Sequence, residues 1–168
     1  PVQAVGYCLG GTLLAVAAAA LERPGGVQLS DRVPPLAGVS LFATETDFTE
    51  PGELGIFIDD AQVAALEELM DRQGFLTGPQ MGATFTFLHS REQLWSRRVS
   101  DFLLDQPTAP TDLMAWNTDV TRMPAAMHAE YLRRCYLHNE IAEGRFPVEG
   151  EPVALSDLHV LLFAVATE

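Results

Sequence analysis

Val2-Gln3-Ala4-Val5-Gly6-Tyr7-Cys8-Leu9-Gly10-Gly11-Thr12-Leu13-Leu14-Ala15-Val16-Ala17-Ala18-Ala19-Ala20-Leu21 opens the sequence one residue in, and its two halves obey different rules. The first half is short and rich in valine, which predicts a strand over 2–7. From Thr12 to Leu21 alanine and leucine dominate, and these are the strongest helix formers. Between them lies Gly6-Tyr7-Cys8-Leu9-Gly10, which has the G-x-S-x-G spacing with cysteine in the place of serine. A strand that turns sharply into a helix has no room for side chains two residues before and two after the apex, and Gly6 and Gly10 are read in that role. The turn puts Cys8 at a helix N-terminus, where unpaired N–H groups and the helix dipole favour a thiolate. It also aims the Leu9 backbone N–H at the place where an acyl oxyanion would form. Cys8 is therefore a candidate nucleophile, and the competing reading is a structural cysteine beside a chance pair of glycines.

Outward from that stretch, the sequence changes character twice. Residues 1–58 read as α/β: the strand, the alanine-rich helix, a Pro/Gly-rich turn over 23–35 and a second apolar strand at Ala37–Ala43. Residues 59–144 read as helical. Asp59 or Asp60 caps a helix whose apolar positions Val63, Leu66, Leu69 and Met70 recur at helical spacing, and Gly74 ends it. Ser90 and Gln93 form a capping box ahead of Leu94, Trp95, Val99, Phe102 and Leu103. Pro124 suits the first turn of a third helix carrying Tyr131, Leu132 and Cys135 toward Gly144. Residues 145–168 return to the core and end in Val160-Leu161-Leu162-Phe163-Ala164-Val165-Ala166, apolar on both faces, the pattern of a strand buried in a parallel sheet. Both ends thus read as core strands, and the chain as a piece truncated at each end. A helical insertion between strands of one parallel sheet is where α/β-hydrolase relatives carry a cap, an analogy of topology alone.

Composition narrows the function classes. The 168 residues carry 10 basic residues, all arginine, against 23 acidic ones, for a net charge of −13. A nucleic-acid surface is excluded on that balance. No run of eighteen apolar residues reads as a membrane span, and two cysteines, Cys8 and Cys135, make no disulfide framework, so both are read as thiols in a reducing, cytoplasmic setting. Asp47, Glu50 and Glu53 are too scattered to read as a metal cluster, and no cofactor motif is present. Cysteine instead of serine points to transfer: thiolate attack on a thioester yields another thioester, so the acyl group stays activated for an alcohol acceptor.

Three stretches then carry a resemblance. Gly6-Tyr7-Cys8-Leu9-Gly10-Gly11-Thr12-Leu13-Leu14-Ala15 resembles the lipase-like box of polyhydroxyalkanoate synthases. Thr46-Asp47-Phe48-Thr49-Glu50-Pro51-Gly52-Glu53-Leu54-Gly55 is similar to the segment those enzymes carry after the next strand, and Trp116-Asn117-Thr118-Asp119-Val120-Thr121-Arg122-Met123-Pro124-Ala125-Ala126-Met127-His128 resembles their W-N-x-D-x-T-R-M-P-x-x-M-H signature. The similarity runs from Pro1 to Glu168, and the box and second stretch look like the short-chain, class I branch. One departure is His89-Ser90-Arg91-Glu92-Gln93, where many members carry Arg-x-Asn-Asp-Leu.

The resemblance implies an α/β-hydrolase fold with a helical cap, polymerising 3-hydroxyacyl-CoA, 3-hydroxybutyryl-CoA foremost, with release of CoA. It implies Cys8 as the nucleophile that holds the growing polyester, no cofactor and no metal, a homodimer through the cap, and a cytoplasmic enzyme on polymer granules. The supporting Asp and general-base His of the family fall beyond residue 168, so the fragment alone is expected to be inactive. His89, His128, His138 and His159 are accordingly read as structural or surface residues, and Glu168 as the residue before the acid. Arg97-Arg98 and Arg133-Arg134 are read as solvated pairs in preference to CoA-phosphate contacts, Arg122 as a residue whose salt bridge or hydrogen bond fixes the cap, and Trp95, Phe102, Trp116 and Tyr131 as cap core or dimer contact. Two alternatives stay open: another cysteine acyltransferase or thioesterase of this fold, and a non-catalytic granule-associated homologue.

Overall fold

The computed structural model describes residues 1–26, 35–88, 99, 103–104, 111–119 and 121–166. Strand β1, Val2–Tyr7, leads through Cys8 into helix α1, Leu9–Glu22, and the chain returns as β2, Leu36–Phe42. The last strand, β5 at Leu161–Val165, completes a parallel sheet of order β1-β2-β5. Parallel neighbours need a crossover, and α1 supplies the one between β1 and β2. In register, Val39 lies between Ala4 and Leu162, and Leu41 between Gly6 and Ala164.

Alternation along β2 decides what the sheet buries. Val39 and Leu41 face α1 and pack on Ala15 and Ala18, with Leu36, Leu155, Leu158 and Val160 around them. The small alanines let helix and sheet approach closely, so Ala18 is wholly buried. A second face of α1, at Val16, packs on Phe48, Cys135 and Ile141. A third, at Ala19 and Ala20, meets Val153 of a hairpin formed by β3, Phe146–Val148, and β4, Glu151–Val153. The C-terminal end of α1 is stapled: the Arg23 guanidinium donates to the carbonyls of Val148, Glu151 and Pro152. The Glu22 carboxylate accepts the His159 and Val160 N–H groups at 2.5 and 2.9 Å.

Residues Pro1–Asp60 and Glu130–Glu168 form one compact unit, and Ala61–Ala129 a second. Tyr131, Cys135 and Ile141 belong with the sheet unit because their apolar surface is buried against Val16 and Phe48. The second unit is built from α2 (Asp60–Asp71), which buries Val63 and Met70, then α3 (Gly78–Leu88), α4 (Asp112–Thr118) and the start of α5 (Ala125–Tyr131). Gly74 ends α2 in the left-handed region at φ 80°, as expected of a helix C-cap. Its carbonyl takes the Ala125 N–H, while Phe75 bridges Pro124 and the Arg122 guanidinium sits 4.5 Å over the Phe75 ring. Arg122 therefore pins this corner by a cation–π contact. Thr77 and Gln80 bond reciprocally at the start of α3. The expected Ser90/Gln93 box, with His89, Trp95, Arg97, Arg98 and Phe102, lies outside the described residues.

Two expectations are corrected. β5 forms and pairs with β2, but all five of its residues are exposed, Leu161 at 80%, because it is an edge strand with no described element over its outer surface. Trp116, expected as cap core or dimer contact, is 69% exposed and so is not part of a core among the described residues. No helix among those residues is long and apolar enough to cross a membrane.

Candidate active site

Cys8 sits between the last residue of β1 and the first of α1 with φ 51° and ψ −126°, a conformation that costs a non-glycine residue of order 1–3 kcal/mol. Its neighbours hold it there. The Cys8 N–H donates to the Phe42 carbonyl at 2.9 Å, and its carbonyl accepts from Gly11 and Thr12 at 2.9 and 3.2 Å. Its side chain is exposed. Leu9 is the first residue of α1, so its N–H has no carbonyl one turn behind and points out of the helix end.

Crowding at the turn falls where the chain doubles back. A Cβ on Gly6 would lie 2.5 Å from Gly11 Cα and 2.9 Å from the Gly10 carbonyl oxygen. A Cβ on Gly11 would overlap the Thr44 side chain. At Gly10 an added Cβ meets nothing within 4 Å. The steric need expected of the pair Gly6 and Gly10 therefore belongs to Gly6 and Gly11, because Gly10 faces away from the strand once the helix begins.

The segment that leaves β2 is tied to this turn. Thr12 Oγ1 donates to the Glu45 carbonyl at 2.6 Å, and Phe48 is 2% exposed. Asn139, itself at φ 46°, accepts the Phe48 N–H through Oδ1 at 2.9 Å and donates through Nδ2 to Asp47 Oδ1 and Thr49 Oγ1. Hydrogen bonds from the Thr49 hydroxyl, Asn139 Nδ2 and the Thr49 amide hold the Asp47 carboxyl below its ordinary range. So the Asp47-to-Glu53 stretch uses its first carboxylate to fasten a loop.

Beyond Tyr131 the helix widens into π turns over Leu132–Leu137, where His138 N–H reaches back five residues to the Arg133 carbonyl. Phe48, Tyr131 and Tyr136 form a cluster with ring centroids 4.8 to 5.8 Å apart. Burial pushes the Tyr131 phenol up, helped by Tyr136. Burial also raises Tyr136, with neighbouring Glu45 adding to the shift and Tyr131 opposing it. Glu45 is raised by its own burial and by Asp47. The second cysteine, Cys135, is buried and pushed up to about 12, first by desolvation and then by Glu140 and Glu130.

Other sequence-level candidates fall elsewhere. His128 is buried in the second unit and its Nδ1 has no hydrogen-bond partner among the described residues; burial pushes its pKa down. His138 and His159 lie on the sheet unit, where the His159 N–H caps Glu22. Arg134 is paired with Glu130 and Glu140, and Arg133 stands 3.9 Å from Asp60. Sequence reasoning placed Tyr131 in a cap and passed over Tyr136, Glu45 and Asn139. Five residues apart, the two tyrosines lie on different faces of a regular α-helix, and only the π turns bring them together.

A parallel α/β chain with an exposed cysteine on a strained strand-to-helix turn defines the class. No protein-family model matches the chain. Over 167 residues it is 39% identical to the poly(3-hydroxyalkanoate) polymerase subunit PhaC of Rhizobium meliloti (strain 1021), covering 99% of the chain and 26% of that protein. It is 38% identical over 166 residues to the poly(3-hydroxyalkanoate) polymerase of Methylorubrum extorquens, covering 99% and 26%. With the PhaC subunit of Cupriavidus necator it shares 32% over 165 residues, 95% and 27% of the two chains. The chain belongs to the poly(3-hydroxyalkanoate) polymerase family, and it spans about a quarter of the length of these curated relatives.

Proposed function

We propose that the chain is the nucleophile-bearing part of an α/β-hydrolase-type acyltransferase that polymerises 3-hydroxyacyl-CoA, with Cys8 as the residue that carries the acyl group. The observation that carries the reading is the geometry of Cys8: exposed, strained and set at the start of α1, in a chain akin to named polymerases. The Cys8 thiolate attacks the thioester carbonyl, and the oxyanion that forms faces the Leu9 N–H and the positive end of α1. Collapse expels the CoA thiolate and leaves an acyl thioester on Cys8. A 3-hydroxyl group then attacks that thioester and loses its proton to a base; the Cys8 S–C bond breaks, the Cys8 thiolate leaves, and the oxygen ester formed lies lower in free energy than the thioester it replaces. This reading assigns the base, and the acid that supports it, to residues other than the histidines and Glu168 of this chain. A short-chain acyl preference, a homodimer and a place at the surface of a cytoplasmic polymer granule belong to the same reading.

The test is CoA release from 3-hydroxybutyryl-CoA by the full-length protein that carries this chain. Release with polymer, and a fall of about a thousandfold or more in Cys8→Ala, supports the reading. CoA without polymer makes the protein a thioesterase, and full activity in Cys8→Ala removes the nucleophile.

A further inference from the structure

We propose that Thr44 is a positioning residue for Cys8, its hydroxyl fixing the Phe42 carbonyl that holds the Cys8 backbone; this rests on the reading of Cys8 as the acyl-bearing nucleophile. A residue at φ 51° stays there only while its surroundings over-determine it. Two groups do so at Cys8: the Phe42 carbonyl, which accepts the Cys8 N–H at 2.9 Å, and the first turn of α1, whose Gly11 and Thr12 N–H groups donate to the Cys8 carbonyl. Thr44 touches both. Its Oγ1 donates to the Phe42 carbonyl at 3.3 Å. Its side chain also fills the space that a side chain at residue 11 would take, with Thr44 Cβ and Cγ2 2.8 and 2.9 Å from where a Gly11 Cβ would stand. The bare Gly11 Cα is thus what admits Thr44 to the turn.

The backbone delivers Thr44 to that place. Ala43 leaves β2 in the left-handed region at φ 47°, its N–H held by the Val165 carbonyl at 2.9 Å, and so turns the chain out of the strand toward α1. One residue past Thr44, the Glu45 carbonyl accepts the hydroxyl of buried Thr12 at 2.6 Å. Cys8 and Thr44 therefore lie just past the C-terminal ends of neighbouring parallel strands, the end of such a sheet where ligands bind. A carbonyl oxygen has two lone pairs, so the Phe42 oxygen takes the Cys8 N–H and the Thr44 hydroxyl together. Attack on a bound thioester needs the sulfur placed to within a fraction of an ångström, and this second bond serves that precision.

Thr44→Ala in the full-length protein removes hydroxyl and methyl, and Thr44→Ser keeps the hydroxyl. In CoA release from 3-hydroxybutyryl-CoA, Thr44→Ala is expected to lower kcat about tenfold with KM within about twofold of the parent, while Thr44→Ser stays within about threefold on both. Thr44→Val, with a methyl in place of the hydroxyl, is expected to fall as far as Thr44→Ala and replaces it if that variant shows no cooperative thermal transition. A kcat within about twofold of the parent without the hydroxyl overturns the proposal. So does an equal fall in Thr44→Ser, which assigns the effect to lost methyl packing. A raised KM at unchanged kcat also overturns it, because Thr44 is then a substrate contact. In each case an inactive Cys8→Ala keeps the nucleophile reading intact, whereas an active Cys8→Ala overturns that reading itself.

Discussion

At the scale of single residues, the glycines of the turn divide by what lies above them. Gly6→Ala would press a methyl against Gly11 Cα, and Gly11→Ala would press one against Thr44. Each is expected to cost about 1–3 kcal/mol or more, read as a lowered thermal midpoint, while Gly10→Ala stays within about 0.5 kcal/mol. Equal losses at all three would show that backbone freedom, not crowding, governs the turn. The two cysteines also part company. At pH 8 a thiol raised to about 12 is ionised in only about one molecule in ten thousand, so Cys135 should resist iodoacetamide while exposed Cys8 reacts. Mass spectrometry of the alkylated peptides reads this directly, and equal labelling of both would contradict the burial of Cys135.

At the scale of elements, Asn139 joins the loop after β2 to the end of the π turns. Asn139→Ala removes bonds to Phe48, Asp47 and Thr49 and puts a less tolerant residue at φ 46°, so a loss of about 2–3 kcal/mol is expected by chemical denaturation. A cost below about half a kcal/mol would mean that the loop is held by Phe48 packing alone. Asp47 gives this joint a pH dependence. Its folded pKa lies below the ordinary 3.8, so its contribution is complete above that value and fades as pH falls through the folded one. His128 acts in the same direction at higher pH in the other unit. Burial lowers its folded pKa below 6.5, so the neutral form is favoured by folding and stability is lost as pH drops below 6.5. His128→Phe should flatten that part of the profile, and an unchanged slope would assign it to another group.

At the scale of the whole molecule, α1 is the hub: sheet, π turns and hairpin each bury a different face of it. The opposite surface of the sheet has no such cover among the described residues. Val5, Tyr7 and Phe163 are each more than half exposed, and both β1 and β5 are edges. Open apolar edges template self-association. The 168-residue chain in isolation should therefore scatter light in a concentration-dependent way, and Leu161→Lys with Phe163→Lys should reduce that scattering. No change would place the sticky surface elsewhere.

Local chemistry was enough to place β1, α1, β2 and β5, because strand-like valine runs and an alanine helix leave little choice to residues 2–21, 36–42 and 161–165. It was enough also to locate the turn at Cys8, since glycine spacing is a property of adjacent residues. The hairpin went unread even though Glu149 and Gly150, at φ 55° and 84°, make the two-residue turn that such hairpins use. The boundary near residue 130, the exposure of β5, the load carried by Gly11 in place of Gly10 and the meeting of Tyr131 with Tyr136 were decided in three dimensions. Each depends on which surface a residue meets after the chain has turned, and neither composition nor periodicity encodes which surface that will be.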